Sequence, residues 1–439
     1  NSAFGGNALS ANTTGTLNTA TGYQALASNT TASSNTSVGY NSLVSNTTGA
    51  SNTSIGKEAL CLNSTGTENT GVGKDVLKRN TTGAGNTAVG VEALNKNTTA
   101  SNNVALGKLA MFTNTTGGAN TALGYQALRL NVSGASNTAV GLCALRGNTT
   151  GASNTAVGTN AMYEGTTTGD FNTMVGVSSG RKMTSGTQNT ASGVNAMELN
   201  TTGAGNVAMG MSALAVNTTG IQNTAVGSNT LVANTTASGN VALGAYSLQT
   251  NTTGFSNVAV GTCQPSGYGA ALELNTTGDC NVAVGNGALR SNTTANNNTA
   301  VGTLASGCNT TGADNTGVQN EAIGYLALCA NTEGSCNIAL GSALGSNTTG
   351  GNNVGIGFIA LSNNTTGTRN VAVGRSALQE NTTAVDNTAQ GFDALKANTT
   401  GGDNTAIGSY ALTSNTTASE NTAVGMDALT ANTTGRRNT

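Results

Sequence analysis

Three kinds of residue in this chain could carry chemistry: acceptor asparagines, cysteines and carboxylates. Asn-x-Ser/Thr triplets, the acceptors for N-linked glycan, stand at Asn12, Asn29, Asn46, Asn63, Asn80, Asn97, Asn114, Asn131 and Asn148. They resume at Asn200, Asn217, Asn234, Asn251, Asn275, Asn292 and Asn309, then at Asn347, Asn364, Asn381, Asn398, Asn415 and Asn432. Five of the 7 cysteines cluster late in the chain: Cys263, Cys280, Cys308, Cys329 and Cys336. Disulfides there would suit an oxidising setting; the alternative is small thiols filling space, which fits Cys61 and Cys143 better. Carboxylates recur at Asp75, Glu92, Asp393 and Asp427, spaced like a solvated face and not like an acid–base pair. With no histidine anywhere, the commonest general base is missing, and no Ser-His or Cys-His pair can form. No Cys-x-x-Cys pair offers a zinc site, and no phosphate-cradling Gly-rich loop is present. The reading is therefore a non-enzyme without metal or cofactor.

The acceptor triplets are spaced by a repeat. "NTALGYQALRLNVSG" from Asn120 and "NTAVGLCALRGNTTG" from Asn137 define a unit N-T-A-V-G-x-x-A-L-x-x-N-T-T-G-x-x, seventeen residues long. Its first Asn recurs without slip from Asn1 to Asn154, and after one added residue from Asn172 to Asn257. The interval from Asn257 to Asn281 is 24 residues and contains Pro265, the one proline; five residues are added between Asn298 and Asn320, and one is missing between Asn337 and Asn353. Seventeen residues are too few for a helical-hairpin repeat of roughly 33–47 residues. T-A-V-G alternates as a strand does, and glycines at unit positions 5 and 15 mark corners.

The expectation is an all-β chain: a parallel β-solenoid (β-roll or β-helix) of about 25 seventeen-residue coils. It is expected to form one continuous tract over 1–439, with an irregular, insertion-bearing segment at 262–345 as the place for a junction or partner contact. At roughly 4.8 Å per coil the tract would extend on the order of 120 Å. Val or Ile at position 4, Ala at 8 and Leu at 9 are the expected core. Asn at positions 1 and 12 are expected to stack as amide ladders. A helical or leucine-rich-repeat reading of "GxxALxxN" stays open for the Ala-Leu half. Cys263 and Cys280 flank the long insertion. Cys308 and Cys329 fall at positions 11 and 10 of adjacent coils, with Cys336 a competitor for Cys329.

The phrase "TAVGxxA" resembles the repeats of YadA-like trimeric autotransporter heads, whose coils carry a VAIGxxA-type phrase, and the NTAVGYQAL/NTTG arrays of phage and bacterial fibre proteins. The resemblance covers nearly the whole chain on a short motif of small residues, and this unit is three residues longer. It implies a β-roll fibre segment and a trimer.

Composition supports an ordered array. Charged residues are 8%, aromatics 3% and net charge −2, while apolar residues reach 36%; disorder normally pairs high net charge with low hydrophobicity. No basic stripe serves nucleic acid, no polybasic patch serves a membrane, and no transmembrane run or signal peptide is seen. Opening and closing on repeat starts, without a polar cap, the chain reads as the ordered tract of a longer polypeptide, continued by end-to-end assembly or flanking segments.

What the turn asparagines do can be weighed within the chain. "NSTG" at Asn63 and "NVSG" at Asn131 change the middle residue and keep the triplet. "TTTG" at Thr166 and "MTSG" at Met183 lose the Asn, and "NTEG" at Asn331 loses the hydroxyl. Position 15 accepts Ala at Asn29 and Asn97, so the turn does not demand glycine. The position-1 asparagines mostly begin N-T-A or N-V-A, which is no acceptor, Asn35 and Asn52 excepted. Glycan acceptance leads; a bare Asn-Thr ladder stays open. The expected function is a structural protein of an extracellular fibre or filament, bearing covalent N-linked glycans and self-assembling as a homo-oligomer at a cell or virion surface. The alternative is the shaft of a phage or bacterial adhesin fibre. Ice binding, which needs regular threonine ranks, trails both.

Overall fold

The computed structural model describes residues 1–263, 269–309 and 319–439. Pro265 and most of the Asn298–Asn320 insertion lie outside the described residues, so the expectation for 262–345 is only partly addressed. The chain divides into two compact units, Asn1–Thr219 and Gly220–Thr439. Both are built from three-residue strands. In the first they run from β1 (Ser2–Phe4) to β13 (Val207–Met209), and in the second from β14 (Thr224–Val226) to β25 (Thr422–Val424). Among the described residues no helix forms, and the Ala-Leu half is a run of turns. Each unit is a parallel β-solenoid.

Strands pair in parallel with like positions aligned. β9 (Thr138–Val140) meets β10 (Thr155–Val157) as Thr138↔Thr155, Ala139↔Ala156 and Val140↔Val157. The alignment survives every irregular interval: Val258↔Val282 across the long insertion, Thr299↔Glu321 across the next, and Ile338↔Val354 across the shortened coil. Length changes are taken up outside the strands. A one-residue slip would turn each strand over, and none occurs across these three intervals.

The core corrects one expectation. Ala139, Ala144 and Leu145, at positions 3, 8 and 9, are fully buried. Position 4 is not: Ile55 is 40%, Val89 37% and Leu123 46% exposed. Successive strand side chains point to opposite faces, so a three-residue strand flanked by an inward Asn sends only its middle residue inside. That place is tight. A Cβ on Gly71, which stands at position 3, would lie 3.1 Å from Val76 and 3.4 Å from Leu60. Ala, Gly or a Ser with its hydroxyl bonded fills it, and the larger Met174 is accommodated where Gly180 replaces the position-9 leucine and a Cβ there would lie 2.8 Å from the Met174 sulfur. Ser42 and Ser54 lie 2.7 Å apart, Oγ to Oγ, and Ser54 donates to the Ala59 carbonyl at 2.9 Å.

Two backbone features close the coil. Gly at position 5 takes φ near +130°, as Gly56 does at 135°, and a Cβ there would lie 2.3 Å from the Gly73 carbonyl oxygen. No other residue meets both demands. Leu at position 9 also sits left-handed, Leu145 at φ 50°. Such strain costs of order 1–3 kcal/mol, about what full burial of a leucine side chain returns.

Candidate functional site: two asparagine columns

The candidate acceptor residues form a column inside the solenoid. Asn131 Nδ2 donates to Asn114 Oδ1 at 2.7 Å and to the Gly134 carbonyl at 2.9 Å. Asn131 Oδ1 in turn accepts from Asn148 Nδ2 at 2.7 Å. The same pattern links Asn29, Asn46, Asn63, Asn80, Asn97 and Asn114 in the first unit. In the second it links Asn347, Asn364, Asn381, Asn398, Asn415 and Asn432. The column also crosses the 24-residue interval, Asn275 donating to Asn251 at 2.8 Å.

A second column stands at position 1. Asn137 Oδ1 accepts the backbone N–H of Asn154 at 2.9 Å, and Asn137 Nδ2 reaches across its own coil to the Gly151 carbonyl at 2.9 Å. That carbonyl also accepts from Asn148 Nδ2 at 2.9 Å. One oxygen at position 15 thus joins both columns. A buried amide left unpaired costs about 1–3 kcal/mol, and here nearly every donor is used.

Burial of these amides stands against the glycan expectation. Asn12 and Asn432, in the end coils, are partly exposed. The other position-12 asparagines are buried, Asn309 and Asn331 at 1% and the remainder at 0%. A glycan on Nδ2 would replace a hydrogen that is bonded inside the coil and would thrust a sugar into the core. The folded coil has no room for it at Asn29, Asn46, Asn63, Asn80, Asn97, Asn114, Asn131 or Asn148. The same holds at Asn200, Asn217, Asn234, Asn251, Asn275, Asn292 and Asn309, and at Asn347, Asn364, Asn381, Asn398 and Asn415. The triplet recurs because ladder and turn ask for Asn then Thr. Thr115 at position 13 donates Oγ1 to the Val132 carbonyl at 3.0 Å. At Val132 the acceptor is backbone, so valine is tolerated there, 43% exposed.

The exceptions confirm the demand for a filled column. In the coil with one added residue Thr167, not Thr166, is the buried neighbour of Asn148, and its Oγ1 donates to the Met183 carbonyl at 3.2 Å. Asn148 Oδ1 is consequently left without a partner. Met183 fills the next place, with Asn200 Nδ2 3.3 Å from its sulfur.

The cysteines divide. All seven are free thiols. Cys308 N–H donates to the Cys329 carbonyl at 3.0 Å, so these two are neighbours on adjacent coils. Burial, and then Cys308 itself, push the Cys329 thiol up. Cys263 and Cys280 are kept apart. Cys263 N–H donates to Ala245, beyond the strand end, while Cys280 N–H donates to Phe255, before the strand start. Those places are separated by a three-residue strand and the residues flanking it, 257–262, on the order of 15–20 Å at about 3.3 Å per residue, and a disulfide needs Cα atoms within about 7 Å. The expected Cys263–Cys280 staple is therefore corrected. Cys336 lies at a different corner from Cys308, its Sγ 3.4 Å from Gln319 Oε1.

Of the recurring acids, Asp75 and Asp393 are ion-paired on the surface. Lys78 bridges Asp75, at 3.2 Å, and Glu58; Lys396 holds Asp393 at 3.1 Å. Glu58 shares position 7 with Asp75, a recurrence that the spacing of Asn52 and Asn69 makes readable and that the sequence reading passed over. A shallow cavity of about 430 Å³ opens where Gly165 is added, lined by Arg146, Tyr163 and Glu164 among others. Its charges are engaged: Arg146 lies over the Tyr163 ring at 5.4 Å, and Glu164 pairs with Arg181 at 2.7 Å. Among the described residues no group of three or more Cys, Asp or Glu is placed to hold a metal ion.

No family model matches the chain, and no curated protein matches it. Its class is set by the fold: a tandem-repeat β-solenoid with two internal amide columns.

Proposed function

We propose that the chain is a structural scaffold, a solenoid segment of an extracellular fibre or filament at a cell or virion surface. The observation that carries this reading is the pair of Asn columns joined through one carbonyl per coil. Each coil is specified chiefly by its neighbours, so residues are spent on extending a stack and not on shaping a site. The glycan sheath drops out of this reading. Burial of the acceptor amides favours, as a second reading, the shaft of a phage or bacterial adhesin fibre, with receptor binding assigned to parts beyond this chain.

Two measurements test it. The intact mass should stay at 42.9 kDa before and after deglycosylation, whereas a larger mass collapsing on treatment would restore the glycan scaffold. Antibody raised to the chain should label surface filaments on unpermeabilised source cells or virions. Labelling that requires permeabilisation would sink the surface-fibre assignment.

A further inference from the structure

Cations that the sequence scatters are gathered by the coil. Seven of the chain's 16 Lys and Arg stand at positions 10 and 11 of the seven coils that begin at Asn69 and end before Asn189. The two positions share one corner, because the position-11 N–H donates to the position-10 carbonyl of the next coil. Lys96 donates so to Phe112, Thr113 to Arg129 and Leu130 to Arg146, each at 3.0 Å. Along this corner every coil presents a cation or an aromatic ring. Lys78 and Arg79 come first, then Lys96, Phe112, Arg129, Arg146 and Tyr163, and Arg181 with Lys182 closes the file. Coils roughly 4.8 Å apart make it on the order of 30 Å long.

Two of the cations are neutralised within the protein: Lys78 by Glu58 and Asp75, and Arg181 by Glu164 and Glu198. Arg79, Lys96, Arg129, Arg146 and Lys182 form no ion pair among the described residues. Lys96 lies 5.2 Å over the Phe112 ring and Arg146 5.4 Å over that of Tyr163, contacts that leave the charge in place. Arg146 Nε donates to the neutral Gln126 at 3.0 Å, and Arg129 Nε is buried without an acceptor. Beside Arg146 the corner opens into the cavity of about 430 Å³ at Gly165.

We propose that this corner binds a linear acidic polysaccharide, its charges carried by uronate or sulfate groups. Uncompensated positive charge along a line selects an extended polyanion, and guanidinium takes such oxyanions in paired hydrogen bonds. The rings and the cavity point to sugar. Phe112 and Tyr163 are half-buried and offer apolar surface to the C–H face of a pyranose. The cavity falls in the roughly 300–1,000 Å³ range of small-ligand pockets, room for saccharide rings. A pyranose in an extended chain advances by about one coil rise, roughly 4.8 Å, so sugar units keep step with the side chains over several coils. A nucleic acid fits worse. Glu164 in the cavity lining repels phosphate but accepts hydrogen bonds from sugar hydroxyls. The five unpaired cations are also few against a backbone charged at every nucleotide. This site adds a binding activity to the scaffold and does not depend on where the filament stands.

Fluorescence anisotropy of labelled oligogalacturonate and of labelled dextran sulfate, each titrated with the full chain, is the test. At least one should bind at low salt and weaken as salt screens the charges, the tighter of the two telling carboxylate from sulfate, and neutral dextran should not compete. Lys96→Gln with Arg146→Gln should weaken binding about tenfold or more with an unchanged far-ultraviolet spectrum. Lys57→Gln with Lys108→Gln removes the same charge elsewhere in the unit and should shift it less than about twofold. If the first pair unfolds the chain, Arg79→Gln with Lys182→Gln, both exposed, replaces it with the same expectation. Tyr163→Ser should weaken binding and leave its salt dependence as it was, since the ring carries no charge. A wild type that binds neither polysaccharide overturns the site, as do folded corner variants that bind undiminished. Tighter binding of an oligothymidylate would overturn it in favour of a nucleic-acid site. None of these results alters the surface-labelling test of the scaffold.

Discussion

At the scale of single residues, the turn asparagine is a donor whose two hydrogens are both committed. Asn131→Asp removes the donors and introduces a carboxylate where Gly134 and Asn114 present only acceptors. Burial of an unpaired charge is costly, and the expected loss is about 3 kcal/mol or more, read as a fall in the urea midpoint. Asn12→Asp, in the partly exposed first coil, should cost under about 1 kcal/mol. Equal losses would contradict the column. The thiols give a second residue-scale outcome. Burial raises the pKa of Cys61 and Cys143, with Glu58 adding to the effect at Cys61. Fewer thiolates then exist near pH 8, so both should alkylate more slowly than the exposed Cys263 and Cys280, as peptide mapping after timed labelling would show. Mild oxidation should join Cys308 to Cys329 before any pair involving Cys263.

At the scale of the element, the strand's orientation is the sharpest point. Ala139 is fully buried, whereas Val140 faces outward. Ala139→Val should therefore destabilise by roughly 1–3 kcal/mol through overpacking, and Val140→Ala by well under 1 kcal/mol in the isolated chain. Thermal melts of the two variants decide it, and the reverse order would restore Val140 to the core. The period, parallel pairing and both Asn columns were legible in the spacing alone, because a stack repeats whatever it needs in every coil. The inward face was not. Three residues give alternation without saying which phase is inside, and hydrophobicity favoured Val140 over the smaller Ala139 although space favoured the reverse. Nor could the letters separate acceptor from ladder, since Asn131 followed by a hydroxyl residue satisfies both. Cys263 and Cys280 misled for a related reason: flanking an insertion in sequence, they sit at opposite ends of a strand in space.

At the scale of the whole molecule, each unit is a sum of like coils, and stability should grow by increments instead of depending on one centre. Deleting Asn404–Glu420, one full coil, would bring Asn421 directly after Asp403, where Asn404 now stands, and restore every alignment. The expected result is a retained β spectrum with a melting temperature lowered by only a few degrees. Removing half of that stretch would place Leu412 where an Asn column must continue, and should unfold the neighbouring coils. Calorimetry on the two deletions separates an additive stack from a cooperative domain of ordinary kind.

The seven added residues before Asn281 leave the stack undisturbed, since Asn281 N–H still reaches Asn257 Oδ1 at 2.9 Å. For heredity this means that copying errors are cheap. A gene of near-identical units recombines out of step with itself, gaining or losing units, and the product still closes because each coil presents the same two amides to whichever coil comes next. Stray segments can likewise lodge at a corner and persist. Length in such a lineage is free to drift or be selected generation by generation, while the letters at positions 1 and 5 stay held.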